Sequence, residues 1–177
     1  MLGYVTKGLV CFYDQIDPDG EICDTNFLLK AEGKVSENVY TCEFCVTRKS
    51  DSNWLNVNWN NCPYPFLARE NIWIPNAWST GNGIRPPSKK SSVGIPFTIV
   101  TSANGAETDV VYLNGDYSFS QKQSLYFTTV SAVYPKKLNK RSDLAIHCYR
   151  LYNRILTAEE IAHNYEIDRR RFGSGNE

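Results

Sequence analysis

The chain has 177 residues, with 19 basic and 19 acidic side chains, so its formal net charge is zero. A nucleic-acid-binding domain normally carries a basic excess, and this balance argues against nucleic acid as a partner. No stretch approaches the ~20 apolar residues of a membrane span, so membrane insertion is not expected. The length suits one hydrophobic core, and we expect a single domain over residues 1–177.

The N-terminal part predicts a strand over residues 3–14, followed by the turn sequence Asp17-Pro-Asp-Gly20. No signal peptide is visible before it. Acidic residues cluster around the turn and could supply the oxygen ligands that calcium prefers. The candidate calcium ligands are Asp14, Asp17, Asp19 and Glu21. The alternative is a simple turn, because the spacing does not follow an EF-hand loop.

Six cysteines allow three disulfides, but the sequence does not choose a pairing. Cys42 and Cys45 would face opposite sides of a strand, which disfavours joint zinc binding. Cys148 alternates with Ile146, so we expect it on the same face of its strand and in the core.

The middle of the chain is rich in aromatic residues. One or two strands are predicted over residues 35–48, another over 54–59, and a short one at 71–74 within an irregular stretch from 60 to 87. All four tryptophans and many asparagines lie between residues 53 and 82. Aromatic faces stack on sugar C–H groups, and the alternative is that most of these rings are core. The candidate glycan-binding residues are Trp54, Trp59, Tyr64, Trp73 and Trp78.

From residue 93 the pattern becomes regular. Strands are predicted at 97–101 and 124–133, with hairpin turns at Asn104-Gly105 and Asn114-Gly115. Short strands with turn signals every 8–12 residues or so are typical of a sandwich. We expect an all-β fold of two antiparallel sheets in a jelly-roll arrangement, with one short helix near the C-terminus.

The last 34 residues predict a strand over 144–152 and a helix at about 157–171, followed by a tail at 173–177. Thr157 can cap the helix and Glu160 can complete a capping box. Leu156 and Ile161 are spaced for a hydrophobic staple. Three arginines at 169–171 suit the negative end of the helix dipole.

This C-terminal segment resembles the closing strand and helix of concanavalin A-like lectin/glucanase domains of the laminin-G and pentraxin-like type. Two further stretches are similar to that family, Val110–Gly115 and Gly8–Asp14. The resemblance implies a jelly-roll fold, and many such domains bind calcium or glycans. The matching residues are Ile146, Arg150, Leu151, Tyr152, Asn153, Arg154, Leu156, Thr157, Glu159, Glu160, Ile161, Asn164 and Tyr165.

The family also includes retaining glucanases, whose paired carboxylates stand on one strand. Here Glu166-Ile167-Asp168 falls on the predicted helix, which would place the two carboxylates on different sides. Neither His147 nor His163 lies near a nucleophile motif. We therefore expect a chain that is not an enzyme and has no catalytic residues.

These observations favour a recognition or assembly module that joins other protein subunits and binds glycans. A decoration or fibre-associated subunit of a phage or other viral particle fits the neutral charge and the absent leader. We expect it outside the cell or on a virion surface. The alternative is a carbohydrate-binding module of a secreted bacterial protein, and a glucanase-like enzyme is the third hypothesis.

Overall fold

In the computed structural model, the described residues are 2–14, 27–30, 34–35, 39–50, 55–56, 66–68, 71–73, 92–104, 108–122, 130–131 and 144–173. Several sequence predictions fall wholly or partly outside these ranges. They are the turn at 17–20, most of the strand at 54–59, most of the irregular stretch at 60–87, the second residue of the turn at 104–105, most of the strand at 124–133, and residues 174–177 of the tail.

The described chain is mostly β-structure with one C-terminal helix. Its strands are β1 (Leu9–Asp14), β2 (Phe27–Leu29), β3 (Lys34–Val35), β4 (Val39–Arg48), β5 (Leu55–Asn56), β6 (Phe66–Ala68), β7 (Asn71–Trp73), β8 (Pro96–Asn104), β9 (Thr108–Leu113), β10 (Asp116–Lys122), β11 (Val130–Ser131) and β12 (Leu144–Tyr152). The helix is α1 (Ala158–Phe172).

Seven strands form one antiparallel sheet in the order β10-β9-β8-β4-β12-β1-β2. The long strands β4, β8 and β12 lie at its centre. The described residues also contain a two-stranded sheet, β11-β3, and a three-stranded sheet, β5-β6-β7. The prediction of an all-β, antiparallel fold with a helix near the C-terminus is confirmed.

Both faces of the central strands are buried, and side chains alternate between them. Cys42, Phe44 and Val46 of β4 belong to the largest apolar cluster, on one face. Cys45 belongs to a second cluster, and Glu43 is fully buried beside the helix. Cys42 and Cys45 therefore face opposite sides of β4, as the strand period predicts.

The prediction that Ile146 and Cys148 share one face is wrong. Ile146 packs in the large cluster, whereas Cys148 packs with Phe12 and Cys45 in the second one. The pairing of β12 with β4 shifts register between Ile146 and Cys148. Such a bulge reverses the alternation of side chains beyond it. The expectation that Cys148 is a core residue is nevertheless correct, since its side chain is fully buried.

Helix α1 begins directly after the predicted cap, Thr157, and ends at Phe172, one residue beyond the predicted bound. The Thr157 hydroxyl accepts a hydrogen bond from the Glu160 amide, and the Glu160 side chain accepts one from the Thr157 amide. Leu156 and Ile161 lie in one buried cluster. Gly173 closes the helix in the left-handed conformation, at φ 73°. Helix α1 packs against β8 and β10.

The first strand is shorter than predicted, because residues 3–8 lie outside the sheet and bond instead to α1 and to Asn153 and Arg154 just before it. The Tyr4 hydroxyl donates to Asp168, and the Val5 amide donates to Asn164. A turn closed by the bond from the Leu9 amide to the Thr6 carbonyl then leads into β1. We call residues 3–8, which bond to α1 through Tyr4 and Val5, the N-terminal strap.

Candidate functional site

Most of the predicted binding residues lie outside the described part of the chain. Trp73 is the last residue of β7 and pairs with Phe66 of β6, and only its backbone is described. The glycan-binding and calcium predictions at these positions therefore stay predictions. The positions outside the described residues are Trp54, Trp59, Tyr64, Trp78, Asp17, Asp19 and Glu21.

Asp14, the first predicted calcium ligand, is held by an arginine. Its two carboxylate oxygens accept hydrogen bonds from Arg171 Nη2 at 3.0 and 2.8 Å. Arg171 also donates to the Tyr4 hydroxyl. Burial lowers the pKa of Arg171, but its bonds to Asp14 and Tyr4 outweigh that effect and raise it. A calcium ion at Asp14 would therefore have to displace Arg171. Within the described residues, no group of three or more acidic, histidine or cysteine side chains could hold a metal.

A cluster of buried charged side chains lies between the sheet and α1. Arg150 of β12 lies at its centre and is fully buried. Its Nη1 and Nη2 donate to the two oxygens of Asp168 at 2.8 and 2.7 Å. Its Nε donates to Glu43 of β4 at 2.6 Å. One guanidinium thus joins two strands and the helix. We call Arg150, Asp168 and Glu43 the buried ion cluster.

Asp168 is the well-satisfied member of the buried ion cluster. Besides Arg150, it accepts hydrogen bonds from the Tyr4 hydroxyl at 2.7 Å and the Thr98 hydroxyl at 2.9 Å. Burial alone would raise the pKa of Asp168. The charge of Arg150 and these hydrogen bonds outweigh burial and hold the pKa below its ordinary value. Asp168 is therefore ionised in the folded protein.

Glu43 is less well satisfied. One of its oxygens, Oε2, accepts bonds from Arg150 and from Asn164 Nδ2 at 2.9 Å. The other, Oε1, is buried without a hydrogen-bond partner in the described part of the chain. Burial raises the pKa of Glu43, and the attraction of Arg150 only partly offsets it. The two carboxylates sharing one guanidinium thus have pKa values shifted in opposite directions.

Asn164 connects the cluster to the N-terminal strap. Its amide nitrogen also donates to the Tyr152 hydroxyl at 3.0 Å, and its oxygen accepts from the Val5 amide at 3.0 Å. The Tyr152 hydroxyl donates in turn to the Val5 carbonyl. Arg150, Asp168, Glu43 and Asn164 are all inaccessible to solvent. Their arrangement fixes the helix on the sheet and offers no group to a ligand.

This cluster was not predicted from the sequence, although Arg150 and Asn164 are among the residues that match the family motif. A usable signal was present in the strands. Glu43 and Arg150 are charged residues inside strands that otherwise read as apolar, and buried charges are normally paired. The carboxylate that pairs with Arg150 could not be predicted from the neighbouring sequence, because Glu43 lies 107 residues away in the chain.

The side chains considered for catalysis have structural partners. The His147 ring bonds the Thr47 hydroxyl at 2.7 Å and stacks on Phe172. The His163 ring lies 2.9 Å from the Gly3 carbonyl oxygen. On α1, Glu166 is exposed and pairs with Arg169, whereas Asp168 is buried in the ion cluster.

The described part of the chain holds no helix with the length and hydrophobicity needed to cross a bilayer. No protein-family model matches the chain, and no curated protein matches it by sequence.

In fold, the chain is similar to several solved structures. One is the botulinum neurotoxin serotype D ligand binding domain in complex with N-acetylneuraminic acid. It has a TM-score of 0.58 and 12% identity, over 90% of this chain and 50% of that one. Another is Trypanosoma rangeli sialidase in complex with sialic acid, with a TM-score of 0.60 and 14% identity, over 97% of this chain and 34% of that one. A further complex of that sialidase, with a difluorinated nononic acid, has a TM-score of 0.62 and 15% identity, over 97% of this chain and 34% of that one.

The prediction that the chain is not an enzyme is wrong as a conclusion from sequence, because structures sharing its fold include sialidases. That prediction rested on the absence of a glucanase carboxylate pair and of common nucleophile motifs, and these do not represent every hydrolase. At 12–15% identity these matches show the fold alone, and the chain spans half or less of the matched proteins. They support the β-sandwich prediction.

Proposed function

We propose that this domain binds glycans that carry sialic acid. The observation that carries the proposal is the fold match to two different proteins that were both solved with this class of sugar. Each match extends over at least 90% of the chain, with TM-scores of 0.58 and 0.60. Because function belongs to sites and not to folds, the proposal needs a direct binding test.

The aromatic residues predicted between positions 53 and 82 are the proposed contacts for the glycan. Aromatic rings offer apolar area at low conformational cost and stack on the C–H face of a pyranose. Calcium bound near Asp14 is a proposed cofactor, for which Arg171 would have to give up its two bonds to that carboxylate.

Three finer assignments are proposals that rest on the sequence. The motifs in β1, β9, β12 and α1 support membership of the laminin-G and pentraxin-like type. The neutral charge supports a subunit of a larger assembly, outside the cell or on a virion surface. A carbohydrate-binding module of a secreted bacterial protein is the alternative, and it shares the proposed glycan binding.

Calorimetric titration of the full chain with 3′-sialyllactose, and with lactose as the matched sugar lacking sialic acid, tests the proposal. We expect sialyllactose to bind and lactose to bind more weakly. Equal affinities, or no heat with either sugar, would contradict it. Assay of the same mixture for released sialic acid separates binding from hydrolysis.

A further inference from the structure

Tyr117 is an aromatic side chain that the fold leaves at the surface. It is the second residue of β10, a strand at one edge of the seven-stranded sheet. Its exposed fraction is 60%, the highest among the large hydrophobic side chains in the described ranges. Leaving so much ring area in water gives up the stabilisation that burial would provide.

The Tyr117 ring is nevertheless held in place. It packs edge-to-face against Tyr112, with ring centroids 6.1 Å apart and planes at 87°. The two residues lie directly opposite each other in β9 and β10. The Tyr117 hydroxyl donates to Ser120 Oγ at 3.4 Å. Tyr112 is itself packed against a buried cluster that includes Val100 and Ile161. These contacts fix the orientation of the exposed Tyr117 ring.

The hairpin that carries Tyr117 is fixed at its turn. Asn114 and Gly115 both have positive φ, at 50° and 82°, which a tight two-residue hairpin requires. The Asn114 amide donates to the Thr98 carbonyl at 2.9 Å, and the Thr98 amide donates to Asn114 Oδ1 at 3.0 Å. A Cβ on Gly115 would stand 2.9 Å from the Tyr165 ring, so α1 packs directly on the turn.

These contacts continue into the buried ion cluster. The Thr98 hydroxyl donates to Asp168, which is held by Arg150. The hairpin is therefore connected through Thr98 to the buried ion cluster. Precise binding sites are supported in this way by neighbouring hydrogen bonds and packing.

We propose that Tyr117, supported by Tyr112, is a stacking platform for a hexopyranose ring with a continuous C–H face, such as galactose. The inference rests on the proposed glycan binding and adds a contact that is separate from the aromatic residues between positions 53 and 82. An aromatic face fixed before binding loses little entropy when a sugar stacks on it. The hydroxyls of Tyr117 and Ser120 at the ring edge can exchange hydrogen bonds with sugar hydroxyls.

Titration of the full chain with lactose and with 3′-sialyllactose, followed by NMR of the tyrosine ring signals, tests the platform. The variants are Tyr117→Ala, Tyr117→Phe, and Leu28→Ala as a matched control. Leu28 is 53% exposed and lies in β2, at the opposite edge of the sheet. We expect Tyr117→Ala to weaken the binding of both sugars about tenfold. Tyr117→Phe keeps the ring and loses only the hydroxyl, so it should weaken binding less than Tyr117→Ala, and Leu28→Ala should bind like the wild type.

The outcomes separate this inference from the proposed function. Wild-type affinity for both sugars in Tyr117→Ala would overturn the platform, even if sialyllactose is still preferred. Loss of that preference, with a weakened Tyr117→Ala, would overturn the sialic acid proposal and support the platform. Retained sugar affinity combined with loss of self-association in Tyr117→Ala would assign Tyr117 to a protein contact and overturn the inference.

Discussion

At the residue scale, one guanidinium is shared by two buried carboxylates. Asp168 accepts a bidentate pair of hydrogen bonds from Arg150 and two more from hydroxyl groups. Within the described residues, Glu43 accepts one hydrogen bond from Arg150 Nε and one from the side-chain amide of Asn164. With both carboxylates ionised the cluster would carry a net negative charge out of water, which is costly. Glu43 has fewer hydrogen-bond donors than Asp168, and burial raises its pKa, which favours its protonated form.

Removing the central charge should therefore be severe. We expect Arg150→Met to lower the free energy of unfolding at pH 7 by about 3–5 kcal/mol, because it leaves buried carboxylates without a counter-charge. Urea unfolding followed by circular dichroism measures this loss. The exposed Arg169→Ala is the matched control, since its i,i+3 pair with Glu166 lies in solvent. Equal stability of the two variants would contradict the structural role of the cluster.

Glu43 gives a pH-dependent prediction. Its folded-state pKa is raised above the ordinary value of 4.5, so folding favours the protonated form. The free energy of unfolding contributed by this group therefore falls as pH rises above about 4.5 and levels off above the folded-state pKa. Glu43→Gln cannot titrate and keeps the shape, so its stability should fall less over this window and equal or exceed that of the wild type at pH 7. Urea unfolding from pH 4 to 8 measures the difference, and parallel profiles would contradict a raised pKa.

At the scale of elements, α1 depends on its capping box. The Glu160 side chain accepts from the Thr157 amide and from both terminal nitrogens of Arg154, at 2.7 Å each. The bonds from Arg154 are the main cause that lowers the pKa of Glu160 to about 2. Glu160 therefore stays ionised to acid pH, and carboxyl NMR titration should place its midpoint well below 4.

The cap itself should be worth a measurable part of the stability. We expect Thr157→Ala to lower the free energy of unfolding by about 1 kcal/mol, since it removes the acceptor for the Glu160 amide. Thr6→Ala is a suitable control, because Thr6 is exposed and its bond within the described residues is the one that its carbonyl accepts from the Leu9 amide. Thermal unfolding of the two variants compares them directly. A Thr157→Ala midpoint equal to that of Thr6→Ala would show that the cap contributes nothing.

Local elements could be predicted from the sequence, and long-range contacts could not. Strand β12, the bounds of α1 and the Asn114-Gly115 turn follow from nearest-neighbour chemistry, and all three are present. The β12 bulge that separates Ile146 from Cys148 depends on how β12 pairs with β4. The strap at residues 3–8 similarly depends on Asp168 and Asn164, about 160 residues away. Hydrophobic pattern alone does not contain such pairings.

The candidate site shows the same limit. The composition of residues 53–82 predicted that their tryptophans bind a glycan. The exposed Tyr117 lies instead in β10, directly after the predicted Asn114-Gly115 turn. In the same strand Phe119 is buried. Which side chain of the strand is exposed depends on sheet order and long-range packing, and the spacing of one hairpin does not contain that information.

At the scale of the whole molecule, we propose that residues 1–177 form one domain. The N-terminal strap and the C-terminal helix support this, because Tyr4 and Val5 bond residues of α1 that lie about 160 positions later in the chain. Removing residues 1–6 should therefore expose the helix-covered face of the sheet. We expect a lower thermal midpoint and binding of a hydrophobic dye by the truncated chain. An unchanged midpoint would contradict the role of the strap.

The most direct measurement for the whole account is a glycan array probed with the full chain. Each sialylated glycan should be paired with its desialylated form, and the array read in calcium and again with a chelator. We predict binding that favours the sialylated member of each pair, with a loss on chelation if calcium occupies the acidic cluster. Absence of glycan binding in both conditions would contradict the proposed function.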